Sequence, residues 1–327
     1  MSSSERPADF FSISERGEFI PRNHVMRRMR TGLAALAVAW LVSSVPVGAA
    51  ETKEGLLGLS VSYTHSSGTY GLENDTRIDL IPLTVDYARG PWFASLSIPS
   101  VRLSGFGNVT MGADGPIQIN SAAVGAMVGG AGAGTSAPPS GGNGPGSNSS
   151  PGSNMGTATT CQQQRSTVSG LGDLSAEAGY GFFTFGDSGV LVEISGRIKF
   201  PTADEDKGLG TGKADYSAQA AVSLPAGRFQ PFVQLGYTIT GDTSLMTLND
   251  VPYGSLGATL ILGKYLDATG AYSFRQKITD TADDFHETSL SLEWRMGRGW
   301  RTWAAFAAGL SNAAPDWTSG IGLSRSF

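Results

Sequence analysis

Four short stretches hold residue types that could do chemistry. "DDFHE" (283–287) sets Asp284 and His286 two apart, half of a hydrolytic constellation in which a carboxylate orients an imidazole base. Such a pair needs a nucleophile within hydrogen-bond reach, and no clear second acidic pair stands in the other connecting segments. His65 and Ser66 supply a base and a hydroxyl with no third group to organise them. Asp204, Glu205 and Asp206 are hard oxygen donors of the kind a divalent cation takes, but they lack EF-hand spacing and read as a solvated loop. "GLGTGK" (208–213) looks like a phosphate loop. The Walker pattern, however, needs Gly where Lys207 stands and Ser or Thr where Ala214 stands, so the stretch reads as a flexible turn. Only two histidines follow residue 50 and Cys161 is the single cysteine. No metal cluster, cofactor or disulfide framework is therefore expected, and the chain is not expected to be an enzyme.

Another set of polar residues is ordered by alternation. In 174–185, Leu174, Ala176, Ala178, Tyr180 and Phe182 fall on one face, opposite Asp173, Ser175 and Glu177. In 189–200, Val190, Val192, Ile194, Ile198 and Phe200 oppose Glu193, Ser195, Arg197 and Lys199; in 289–296, Leu290, Leu292, Trp294 and Met296 oppose Glu293 and Arg295. Side chains of period two belong to strands with one apolar and one polar face. The polar faces nominate Glu177, Glu193, Arg197, Lys199, Asp267, Arg275, Glu293 and Arg295, with Gln219 and Gln234, as lumen-facing residues. Charges of both signs there can filter solutes by a transverse field or pair across the interior and stiffen it.

Such faces require elements that keep oil on one side and charge on the other. Twelve strands can be placed, at 55–66, 75–89, 92–104, 172–185, 189–201, 214–225, 229–241, 250–262, 264–278, 285–297, 300–311 and 316–327. After even-numbered strands come tight Gly- and Pro-rich turns, among them "ARGPW", "FGDSG", "PAGRF" and "MGRGW"; after odd-numbered ones come longer connections such as "SGTYGLEND" and "GDTSLMTLN". A secreted sandwich has no reason for that parity. A transmembrane antiparallel up-and-down β-barrel does, with short periplasmic turns and long extracellular loops. Closure also removes the open edges that lipid does not tolerate. Trp92, Phe183, Phe185, Phe229, Tyr265, Trp300 and Trp317 gather at strand ends, where aromatic rings suit the membrane interfaces.

Only 16% of residues are charged and 45 are glycine. No apolar run is long enough for a spanning helix. Residues 1–50 read as a leader whose signal peptide (26–50) has a basic "MRRMR", an apolar "TGLAALAVAWLV" and a small-residue cleavage site before Glu51. That directs export, with the bacterial outer membrane as destination and its bilayer as partner. The remaining chain, 51–327, carries 17 basic and 24 acidic residues, a net charge near −7 with no basic patch, which argues against a nucleic-acid partner. The insertion 106–168, whose centre (129–157) is uncharged Gly, Ser, Pro and Asn, reads as a flexible external loop.

"WFASLSIPSVRLSGFG" (92–107), "SGLGDLSAEAGYGF" (169–182) and the run 197–242 resemble the outer-membrane family named for the MetA pathway of phenol degradation. The resemblance rests on Gly172-Asp173, on Lys199 with Pro201-Thr202, and on Gly210-Thr211-Gly212 with Asp215; it spans most of 51–327 except the insertion. It implies a barrel that transports, without naming the cargo. The expected function is a channel passing small solutes by diffusion, hydrophobic and aromatic ones included. A second reading is a surface-interaction or envelope-structural barrel working through its glycine-rich loop. A third, remote one is an outer-membrane hydrolase, since Asp284 and His286 are similar to the Asp-x-His half of omptin-type proteases. The terminal alternation Ile321, Leu323, Phe327 resembles the signal read by the barrel-assembly machinery, from which Arg325 departs.

Overall fold

A computed structural model describes residues 55–105, 109–118, 165–184, 189–243 and 246–327. The leader 1–50, the centre of the insertion and the side chains of Phe183 and Phe185 lie outside the described residues.

Fifteen strands follow one another: β1 (Leu56–Gly68), β2 (Thr76–Arg89), β3 (Trp92–Gly105), β4 (Val109–Gly112), β5 (Gly115–Gln118), β6 (Ser166–Leu171), β7 (Leu174–Thr184) and β8 (Val190–Phe200). A 3₁₀ turn, Glu205–Lys207, precedes β9 (Asp215–Ser223), β10 (Phe229–Ile239), β11 (Val251–Ile261) and β12 (Leu266–Arg275). The chain ends with β13 (Phe285–Gly297), β14 (Trp300–Gly309) and β15 (Trp317–Ser326).

Each wall strand pairs antiparallel with its sequence neighbour, and β1 pairs with β15 from Gly58 opposite Ser326 to Ser67 opposite Trp317. The sheet is therefore closed. β6 and β7 lie end to end along β3, β6 against Ser100–Gly105 and β7 against Trp92–Ser97, so they count as one wall strand and the barrel has 12. The sequence reading began that strand at 172. Residues 166–171, assigned there to the external loop, extend the wall instead. Where β6 passes into β7, three residues (172–174) face two (98–99), a bulge, and one of those two is Pro99, which has no N–H to give the ladder.

The alternation is preserved around the ring. Val61, Leu83, Leu96, Ile194, Leu235, Leu256, Leu290 and Ile321 are exposed on the outer face, while their strand neighbours are screened inside. An outward belt of aliphatic side chains costs free energy in water and is stable against hydrocarbon. Trp92, Phe229, Tyr265 and Trp300 are exposed at the short-turn end and Trp317 at the long-loop end. Short turns use left-handed backbone at Gly90, at Gly227 and at 297–299. In "GRGW", Arg298 and Gly299 have φ of 51° and 80°, the signs that a two-residue hairpin turn with the right-handed strand twist requires. A Cβ on Gly299 would collide with the Ser326 carbonyl oxygen.

β4 and β5 form a separate hairpin inside the ring. Val109 packs with Tyr70, Ile78 and Leu103, and Ile117 with Leu248, Val251 and Ile278, so the hairpin reaches across from the β2–β3 wall to the β11–β12 wall.

Candidate functional site: the charged lumen and its hairpin

Because side chains alternate, a residue's parity in each strand fixes whether it meets lipid or the interior. Glu177, Arg197, Lys199, Asp267, Arg275 and Glu293 are all buried within the ring; Glu193 and Arg295 point the same way and are partly screened. The interior draws six of these eight residues into three groups, while Arg275 meets the inserted hairpin.

The first group centres on Lys199. Its Nζ lies 2.9 Å from Asp173 Oδ2 and 2.9 Å from Asp215 Oδ2, and donates to Thr211 Oγ1 at 2.8 Å. Asp173 Oδ1 accepts the backbone N–H groups of Thr202 (3.0 Å) and Ala203 (2.8 Å), while Asp215 Oδ1 accepts that of Gly241 at 2.9 Å. Thr202 Oγ1 in turn accepts from Leu174 N at 2.8 Å. A Cβ on Gly210 would sit 2.7 Å from Asp173 Oδ2, so only glycine leaves room for that carboxylate. The three scattered motifs thus converge on one knot that ties the bulge between β6 and β7 to the ends of β8, β9 and β10. An ammonium shared by two carboxylates that also accept backbone N–H groups keeps most of a buried ion cluster compensated. Asp173, which alternation set on a polar face, was not among the nominated lumen residues, and neither were Thr211 and Asp215. Their signal was the turn spacing, which says where the chain bends but not that the bends meet.

The second group is a hydrogen-bonded chain across five strands. Arg197 Nε approaches Glu177 Oε2 at 3.6 Å, and Glu177 Oε1 accepts from Ser195 Oγ (2.7 Å) and Gln219 Nε2 (3.1 Å). Gln219 Oε1 then accepts from Gln234 Nε2 at 2.6 Å and from the Tyr253 hydroxyl at 3.1 Å. In the third group, near the short-turn end, Arg295 Nη2 donates to Asp267 Oδ1 at 2.9 Å, and Glu293 stands opposite Asp267 in the ladder.

The hairpin of β4 and β5 closes over these groups from the long-loop side. Arg275 Nη1 donates to the Asp114 carbonyl oxygen, and Thr110 Oγ1 donates to the carbonyl oxygens of Gly208 (3.0 Å) and Gly210 (3.3 Å). Burial pushes the Asp114 side-chain carboxyl up from its ordinary range, opposed by the nearby Arg197 and Arg275 guanidinium groups. Between hairpin and wall lies a cavity of about 90 Å³ lined by Ile78, Leu80, Pro99, Val101, Met111 and Phe285, with Asp173, Arg197 and Lys199 on its polar side.

The hydrolase candidates are not assembled. His65 faces outward, its Nδ1 2.7 Å from Asp79 Oδ1, whereas Ser66 is buried inside. Adjacent strand residues point to opposite faces, so they cannot form a dyad. His286 Nδ1 bonds to the Tyr272 hydroxyl at 2.6 Å, and Asp284 Oδ1 accepts the Lys277 N–H at 2.9 Å, so each has a different structural partner. Asp204 caps the 3₁₀ turn through Lys207 N, and its other oxygen lies 2.6 Å from Lys207 Nζ. That hydrogen bond holds the exposed Asp204 carboxyl below its ordinary range.

At the terminus, Ile321, Leu323 and Phe327 are exposed on the outer face of the closing strand, and Phe327 N donates to Leu57 O at 2.8 Å. Arg325 is not isolated among them: its guanidinium carbon lies 4.6 Å from the Phe327 ring centroid and 5.2 Å from that of Trp300.

No protein-family model matches the sequence, so membership of the MetA-pathway family is not confirmed. No curated protein matches it either. Among solved structures the chain is similar to the NanC porin (12% identity, 82% of this chain and 98% of that one, TM-score 0.47). It is also similar to the KdgM porin (7% identity, 82% and 99%, TM-score 0.42) and to the CymD monoaromatic hydrocarbon channel (12% identity, 84% and 87%, TM-score 0.36).

Proposed function

We propose that the chain is a bacterial outer-membrane channel through which small solutes diffuse, uncharged apolar and aromatic ones among them. The observation that carries this reading is the pairing of an apolar outer belt with a charged, hydrogen-bonded interior inside one closed 12-stranded ring. Such a ring is stable only with lipid around it and polar contacts within it. The apolar cavity beside the hairpin supplies a resting place for a small hydrophobic solute. The resemblance to the MetA-pathway family fits this role and does not fix the solute.

The hairpin of β4 and β5 makes the resting lumen narrow, so passage requires it to yield or the solute to slip past Met111 and Phe285. Export by the leader 1–50 and folding by the barrel-assembly machinery through Ile321, Leu323 and Phe327 complete the proposal. Reconstitution tests it: protein folded into planar bilayers should conduct, and proteoliposomes should swell in small neutral solutes. Absence of both would refute it.

A further inference from the structure

We infer that this lumen is selective for cations, admitting small inorganic and organic cations and rejecting anions of the same size. The inference rests on the channel reading above and deepens it.

Among the described residues, six inward strand positions outside the Lys199 knot are carboxylates: Asp86, Glu177, Glu193, Asp267, Glu287 and Glu293. Asp173 and Asp215 in the Lys199 knot and Asp114 on the hairpin add three more. The inward cations are Arg197, Lys199, Arg275, Arg295 and Arg301. Ion pairs commit three of the five cations, and the charge of Arg301 bears on both Asp86 and Glu293. Lys199 is shared by two carboxylates, Arg197 serves Glu177, and Arg295 serves Asp267. Arg275 spends a donor on the hairpin backbone.

Two of the acids keep oxygen atoms free to meet a solute. Glu287 and Glu293, 2% and 3% exposed, each keep one carboxylate oxygen with no hydrogen-bond partner. Both stand on the inner face of β13, three inward positions apart. An unpaired carboxylate in a low-dielectric enclosure is costly, and a cation or a donor-rich cationic solute beside it recovers part of that cost. Lipid outside the wall offers no compensating charge, so at a pH where these acids are ionised their excess focuses a negative potential along the lumen. Cations are concentrated by that potential and anions depleted.

The test places a reporter between the two acids. In a Cys161→Ser background, Ser289→Cys puts a thiol on the inner face of β13, and its modification by size-matched cationic and anionic methanethiosulfonates is followed in proteoliposomes. Relative to a free thiol, the cationic reagent should react about tenfold faster than the anionic one. Combining Glu287→Gln with Glu293→Gln should bring that ratio to about threefold or less. Equal rates, an anionic preference, or no reaction with either reagent would overturn the inference, since a lumen closed to both selects nothing. In bilayers under a KCl gradient, potassium should permeate about fivefold more readily than chloride. A protein that passes no current yet keeps the reagent ratio would refute the channel reading and uphold this one.

Discussion

Lys199 shows how much one side chain can organise. Its ammonium is shared by Asp173 and Asp215, and those carboxylates in turn hold backbone N–H groups of two separate chain segments, Thr202–Ala203 and Gly241. Removing one partner of a buried ion cluster leaves uncompensated charge and typically costs about 3–5 kcal/mol. Lys199→Met should therefore lower unfolding stability in urea by roughly that amount, and adding Asp215→Asn to it should recover part of the loss. Arg325 poses the opposite question, a charge on the lipid-facing side of the closing strand. The rings of Trp300 and Phe327 answer it, because a guanidinium over an aromatic face is attracted by the ring's negative face. Deleting Phe327 removes one of those rings, the terminal aromatic, together with the backbone bond to Leu57. It should reduce the yield of folded, heat-modifiable protein more than Arg325→Tyr does; equal yields from deleted and intact chains would contradict this.

At the scale of elements, the hairpin of β4 and β5 is the part whose position matters most to a channel. It is held by apolar contacts at both ends and by the hydrogen bonds of Arg275 and Thr110, with Asp114 buried beside Arg197, Arg275 and Asp215. Burial raises the Asp114 carboxyl, so the docked hairpin binds that proton more tightly than the undocked one. The sign follows from linkage: docking is strongest below the ordinary carboxylate pKa, about 3.9, and weakens as pH climbs through the raised value. Single-channel conductance should accordingly rise from acid pH toward neutrality, and Asp114→Asn should flatten the profile. Deleting residues 109–118 should give the larger conductance at every pH.

For the whole molecule, closure is the decisive feature. β15 completes the ring against β1 over ten paired positions, and without it both strands would expose unpaired backbone groups to hydrocarbon. Among the described residues the wall begins at Leu56. Exported protein should begin at Glu51, a prediction that intact mass measurement of the membrane form checks directly. A mass retaining the basic stretch before residue 31 would contradict the proposed cleavage.

Sequence and tertiary structure divide the explanation along a physical line. The wall strands, their inner and outer faces and the parity of their turns were legible, because alternation and turn chemistry are local and lipid outside enforces them on every strand. Glu193 and Ile194 sit on opposite faces whatever the rest of the chain does. The β6 segment was missed because "STVSGL" carries no strong apolar face of its own and is held by its ladder with β3, 60 and more residues away. The Lys199 knot, the Glu177 chain and the inserted hairpin were decided only in three dimensions. Arg275 and Asp114 are separated by 161 positions, and no spacing rule links residues so far apart. The sequence by itself determined which side chains face inward; the closed ring decided which of them meet, and so which carboxylates are left without a partner.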